Sequence, residues 1–197
     1  DFVLFWLFNL ISWKVLWLHN LRAFNRRILT GELNNYILRP ANTYFLTTLK
    51  TFSGNNFISL FYMLPIIFTI IFTKDYTNIL LTIPVMIFSW VYFMAFFNMV
   101  NSLCFFIKND QLIRRPIFDI QSIIFQYTPK TFEGIKFSEI SLLLPVSLQA
   151  YFIVEILKGR TLTFFSTLPY LVITFAIMVL AIVLLWHLGL KRYEAFG

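Results

Sequence analysis

The sequence predicts an all-α, polytopic membrane protein: one domain built as a bundle of about five spans. Three observations predict it. Hydrophobic residues make up 59% of the chain and charged residues only 13%, and the mean hydropathy is +0.76, outside the range of soluble domains. The apolar residues fall in blocks long enough to cross about 30 Å of hydrocarbon. Between the blocks, loops rich and poor in Lys and Arg alternate, as orientation in a membrane requires.

Residues 1–18 are apolar apart from Asp1 and Lys14, carry Trp6, Trp13 and Trp17, and form the first span. Since the chain opens on Asp1 without a leader, a further span is expected upstream, giving about six in all. A polar loop fills 19–55. The span at 56–73 is near the lower length limit, and 74–78 is a short loop. Residues 79–107 run uncharged, and at about 1.5 Å per residue they exceed the hydrocarbon thickness, so this helix tilts or extends beyond it. A thinner span is expected at 112–129. The last span, 161–188, also runs uncharged, and 189–197 is a tail.

Arg22, Arg26, Arg27, Arg39 and Lys50 in the first loop face one acid, Glu32, whereas 74–78 holds only Lys74 and Asp75. Lys108, Arg114 and Arg115 follow the long span, and Lys191 and Arg192 end the chain. The positive-inside rule places 19–55, 108–116 and 189–197 in the cytoplasm and 74–78 outside. Lys14 can then snorkel to the inner interface. Topology alone accounts for these basic residues, so no nucleic-acid partner is called for.

The stretch between Arg115 and the last span fits no simple count of crossings. Two short apolar pieces, 117–129 and 140–154, flank the polar run Pro129 to Ser138. The economical solution is one span followed by a partly inserted external hairpin at 130–160, with its charged residues, including Glu155, Lys158 and Arg160, at the ends. Pro145 favours a bent or re-entrant helix, which is tolerated at membrane depth only when packed in protein or lining water.

The island 26–40 is polar and basic between greasy neighbours. It reads as a short amphipathic helix over 29–39. Thr30 is placed to cap it and Glu32 to complement its positive end. Leu29, Leu33, Tyr36 and Ile37 recur on one face, Asn34 and Asn35 lie elsewhere, and Pro40 forces the helix to end at Arg39. Such a helix either docks on a partner or lies on the surface of anionic membrane lipids.

Other candidates for chemistry are sparse. Asn98, Asn101 and Ser102 share one face of the 79–107 helix, as glue between helices or as path lining, and glue is favoured. Asp119 is an acid inside a thin span, and Arg115 one turn earlier suits it as a structural ion pair. His19 and His187 fall at span ends, and no His, Cys and carboxylate set has metal spacing. Cys104 is the single cysteine, so no disulfide framework is possible, and a small apolar role suits it. None of the six glycines sits in a phosphate-binding loop with a Lys at the required spacing, so the chain is not itself the ATPase.

The run Thr30-Gly31-Glu32-Leu33-Asn34-Asn35-Tyr36-Ile37-Leu38-Arg39-Pro40 resembles the G-E-L-D-x-x-L-L-R-P signature of the ABC type-2 transporter permeases. The terminus from Trp186 through Gly189-Leu190-Lys191-Arg192-Tyr193-Glu194 to Gly197 is similar to that family's W-x-x-G-L-R-R-Y-E-S-A-G. Leu144-Pro145-Val146 is similar to its external hairpin. The chain departs from the pattern at Asn34, where an acid is common, and at Ala195 and Phe196.

The resemblance implies the permease subunit of an ATP-binding cassette exporter in the bacterial cytoplasmic membrane. It would bind no cofactor itself, because ATP and Mg would belong to a separate ATP-binding subunit, and it would pair with a second or related permease. Residues Arg27, Leu29, Gly31, Glu32, Leu33, Tyr36, Ile37, Arg39 and Pro40 would form the coupling site. The apolar face would enter a groove on the ATPase, with Arg26, Arg27 and Arg39 at the rim. An intramembrane lipid-modifying enzyme or protease and an ATP-independent channel or scaffold stay open as alternatives. An enzyme would need a nucleophile, base or metal set, and none is legible.

Overall fold

The computed structural model describes residues 3–10, 27–28, 30–39, 42–49, 72, 78–107, 115–116, 119–120, 144–145 and 147–193. All the elements formed among them are helical. The spans expected at 56–73 and 112–129 lie almost wholly outside these residues, as do the second half of the first span and residues 130–143 of the expected hairpin. Leu29, Pro40 and His19 lie outside them too.

Helix α1, residues 3–10, carries Leu4, Phe5, Leu7 and Phe8 into the core, while Val3 and Trp6 stay exposed. Helix α2 is a single turn, Asn34–Ile37, and α3 spans Thr43–Leu49. Helix α4, Ile79–Ser102, tightens into a 3₁₀ turn, Leu103–Phe105. A π turn at Ser147–Tyr151 leads into α5, Phe152–Leu157, and α6 runs Leu162–Arg192.

Two helices, Ile79–Phe105 and Leu162–Arg192, are long and apolar enough to cross a membrane. Their 27 and 31 residues correspond to about 40 and 46 Å of rise, more than the hydrocarbon thickness. Closing every backbone bond within the segment is what makes so apolar a stretch helical in lipid. Asn78 precedes α4 with φ 60, a left-handed turn that asparagine tolerates. Pro84 and Pro169 interrupt the two ladders, each within the first turns of its helix. The last span is longer than expected, because Gly189, Leu190, Lys191 and Arg192 continue it. The two cations suit the negative end of the helix.

The helices α4 and α6 pack along their length. Buried residues of α6 include Leu171, Met178, Ile182 and Gly189, spaced seven, four and seven apart, a narrow seam of the coiled-coil kind. Outside that seam Ile173, Ile177, Leu180, Val183 and Leu184 are exposed, as a lipid-facing surface is. Across the seam the Tyr92 and Thr174 hydroxyls share a hydrogen bond at 3.0 Å, and the Phe88 and Phe175 rings meet edge to face at 5.9 Å. Most other hydroxyls turn back to their own helix: Thr82 donates to the Ile79 carbonyl and Ser89 to that of Met86. That satisfies them without a partner helix.

All six residues of α5 are buried. Its five apolar residues join Leu4, Phe5, Leu7 and Phe8 of α1 and Val85, Tyr92 and Ala95 of α4 in one core. The segment ends in a helix stop formed by glycine. Gly159 has φ 78, its N–H donates to the Ile156 carbonyl at 2.9 Å, and the Arg160 N–H donates to the Glu155 carbonyl at 2.9 Å. This pair of bonds is the Schellman arrangement, open to glycine because a left-handed residue costs it nothing. Glu155, expected at an end of the hairpin, is only 5% exposed, with its carboxylate 3.8 Å from the exposed Arg160 guanidinium.

Candidate functional site

The polar island folds as an elbow rather than as one helix over 29–39. Residues 27–28 are helical, and Gly31 turns the chain with φ 79. The Leu33 N–H reaches back to the Arg27 carbonyl at 3.0 Å. Thr30-Gly31 therefore closes the preceding turn instead of opening the next. The N-cap position of α2 is Leu33, whose side chain makes no cap bond. The helix ends at Ile37, before Arg39. A cap forms where none was read: the Asn42 side-chain oxygen accepts the Tyr44 N–H at 3.0 Å, the N-cap bond at the start of α3. The dipeptide after Pro40 carried that signal in the sequence.

Arg27 holds the elbow together. It is 7% exposed, not at a rim. Its guanidinium donates to the Thr47 carbonyl, one of the last carbonyls of α3, which no helical N–H can reach and where the dipole favours a cation. The same guanidinium lies 5.1 Å over the Tyr36 ring, and Arg39 lies 5.7 Å from that ring. Tyr36 is thus gripped by two cations. Arg39 also donates to the Asn35 carbonyl at 3.2 Å and remains exposed.

The predicted apolar face splits. Leu33 is 0% exposed and packs with Ile28 and Cys104 against Phe105, Trp186, Leu190 and Tyr193. Tyr36 is buried as well, but Ile37 is exposed, and Leu38, which was not singled out, is 84% exposed. The outer surface of the elbow is Asn34, Asn35, Ile37, Leu38 and Arg39, and Gly31 and Glu32 are half-buried. Burial pushes the Tyr44 and Tyr193 hydroxyls above the ordinary phenol range, so both stay neutral and add no charge to the junction.

The polar stripe on α4 sits one turn away. Asn101 and Ser102 are buried and Asn98 is half-buried. Ser102 donates to the Asn98 carbonyl at 2.7 Å, within its own helix. Asn101 is 1% exposed, and neither its amide nitrogen nor its oxygen has a hydrogen-bond partner among the described residues. Glue between helices is therefore not what the described contacts supply here. Arg115 and Asp119 are both exposed. Among the described residues no group of three or more metal-ligating side chains comes together.

Long apolar helices, with a basic, clamped elbow under their ends, define a helical membrane protein. Residues 2–197 match the family described as ABC-2 family transporter protein, and the chain belongs to that family of ABC-2 type permeases. It is the permease component of an ABC transporter, a transport subunit, and the family normally works with an ATP-binding subunit. Comparison with curated proteins and with solved structures returned no match.

Proposed function

We propose that this chain is the multi-pass membrane subunit of an exporter in the bacterial cytoplasmic membrane, working as a homodimer or heterodimer with a related permease. Two separate ATP-binding subunits hydrolyse ATP with Mg, and the elbow is where they grip it. The observation that carries this reading is the division of the elbow into two faces. One, through Leu33 and Ile28, is packed on the ends of α4 and α6; the other, through Ile37 and Leu38, faces outward.

An exposed apolar pair rimmed by Asn34, Asn35 and Arg39 suits insertion into a groove, with the cation steering encounter. Closure of the ATPase subunits then moves the elbow as a rigid piece and tilts α4 and α6, which alters access to a central path. Leu33, Gly31 and Arg27 belong to this site as the residues that shape it, and the contact falls on Ile37, Leu38 and Arg39. The hairpin ending at Gly159 re-enters from the outer side in this reading.

The test is co-purification with the ATP-binding subunit. Leu38→Asp changes an exposed residue, so the fold is retained, while affinity falls about thirtyfold or more, as for a hot-spot residue worth ~2 kcal/mol. Unchanged co-purification, or labelling of a Leu38→Cys variant by an impermeant maleimide only from the outer side, overturns the coupling reading. Binding to anionic vesicles that persists without any ATPase contact would make the elbow an interfacial lipid anchor instead.

A further inference from the structure

Beneath the elbow, one side chain of the last span touches both moving parts. The Trp186 ring meets Tyr44 of α3 edge to face at 5.2 Å and 83°. It meets Phe105, in the turn that ends α4, at 5.3 Å and 84°. Phe105 in turn meets Tyr193 at 6.3 Å and 90°. Trp186, Gly189, Leu190 and Tyr193 recur at helical spacing on one face of α6. Gly189 makes the notch in that face: a Cβ there would lie 2.5 Å from the Phe105 ring. Only a residue without a side chain lets Phe105 lie so close to the α6 backbone and stand edge-on to the indole.

Edge-to-face pairs are directional, unlike the aliphatic packing of Ile28 and Leu33 around them, so rotating one ring drives the next. The elbow side of the junction is stiff, since Arg27 ties the Tyr36 turn to α3. A displacement applied at Ile37 and Leu38 thus has a tied path to Tyr44, through Arg27 to α3. We propose that Trp186 is the positioning residue through which elbow movement reaches α4 and α6 together, and that Gly189 sets its geometry. The inference rests on the coupling reading above but names a residue outside the contact surface proposed there.

The full complex supplies its own probe. Cys104 is the one cysteine, 4% exposed, in the same cluster as Leu33, Trp186 and Tyr193. In reconstituted complex, adding ATP changes its labelling rate by a permeant maleimide about fivefold or more, a usual size for coupled sites. Trp186→Leu and Gly189→Ala keep the ATP-binding subunit bound and its basal hydrolysis within about twofold, yet abolish that nucleotide response. Trp186→Phe, which keeps an aromatic edge, restores it in part, and this serves if the Leu variant does not fold.

A full nucleotide response in both Trp186→Leu and Gly189→Ala overturns the proposal. So does loss of subunit binding in all three variants, which would make the junction a mere support. Failure of the unsubstituted chain to bind the ATP-binding subunit overturns the coupling reading and this inference with it.

Discussion

The two ends of α4 are held in different ways. At the end near Ile79, α5 and the π turn before it are packed mainly by apolar contact, with Leu148, Phe152, Ile156 and Leu157 all fully buried and the Glu155 carboxylate facing Arg160. At the Phe105 end, the apolar packing of Ile28 and Leu33 is joined by directional bonds: the Arg27 guanidinium on the Thr47 carbonyl, two guanidiniums on the Tyr36 ring, and a run of edge-on aromatics. Close apolar packing resists displacement in all directions. Directional bonds fix an angle and pass on a push. In the mechanism we propose, the first is the anchored end and the second the hinged end of a lever whose arms are α4 and α6.

Substitutions sharpen that contrast. The largest effect belongs to the anchored end: Phe152→Ala removes a ring packed against Tyr151 and Phe164 and costs about 3–5 kcal/mol, measured as a lowered melting temperature of detergent-purified protein. At the hinged end, Arg27→Ala removes a charged donor from the Thr47 carbonyl and one of the two cations on the Tyr36 ring, a loss of about 1.5–3 kcal/mol. Its signature is local: faster proteolysis between 27 and 49 with a global melting temperature that moves little. Equal global destabilisation by the two would break the comparison.

Gly159→Ala places a Cβ on a residue with φ 78 and costs about 1–2 kcal/mol, again read globally, because the stop it forms belongs to the anchored end. The smallest effect is at the seam between the arms. Tyr92→Phe removes the hydroxyl bond to Thr174, worth roughly 0.6 kcal/mol between membrane helices, and shifts denaturant midpoints only slightly. A large shift there would mean that the arms are riveted rather than free to tilt.

Much of this architecture was legible in the residues. Uncharged blocks at 79–107 and 161–188 gave two long helices whose starts fall within a residue of expectation, because lipid leaves an apolar backbone no alternative to a helix. The last span outran its apolar block for a reason sequence counting does not weigh, namely that cations are welcome at a helix C-terminus. The place of the elbow was legible and its fold was not. Thr30-Gly31-Glu32 is ambiguous: a hydroxyl before an acid signals a helix start, while a glycine signals a stop, and only the φ of Gly31 decides. Arg27 looked like a rim cation because nothing local reveals a carbonyl twenty residues on. The burial of Glu155 stays hidden in the sequence for the same reason. The chain offered Arg160 as a partner, but not the burial that makes the pairing matter.

The dry amide of Asn101 carries a consequence of its own. A leucine would fill much the same space there without a donor and an acceptor that no described residue answers, and buried groups of that kind weigh against the conformation that holds them. On the described contacts, Asn101 is therefore not the residue that stability alone would choose. That cost falls at the very turn where α4 meets the junction.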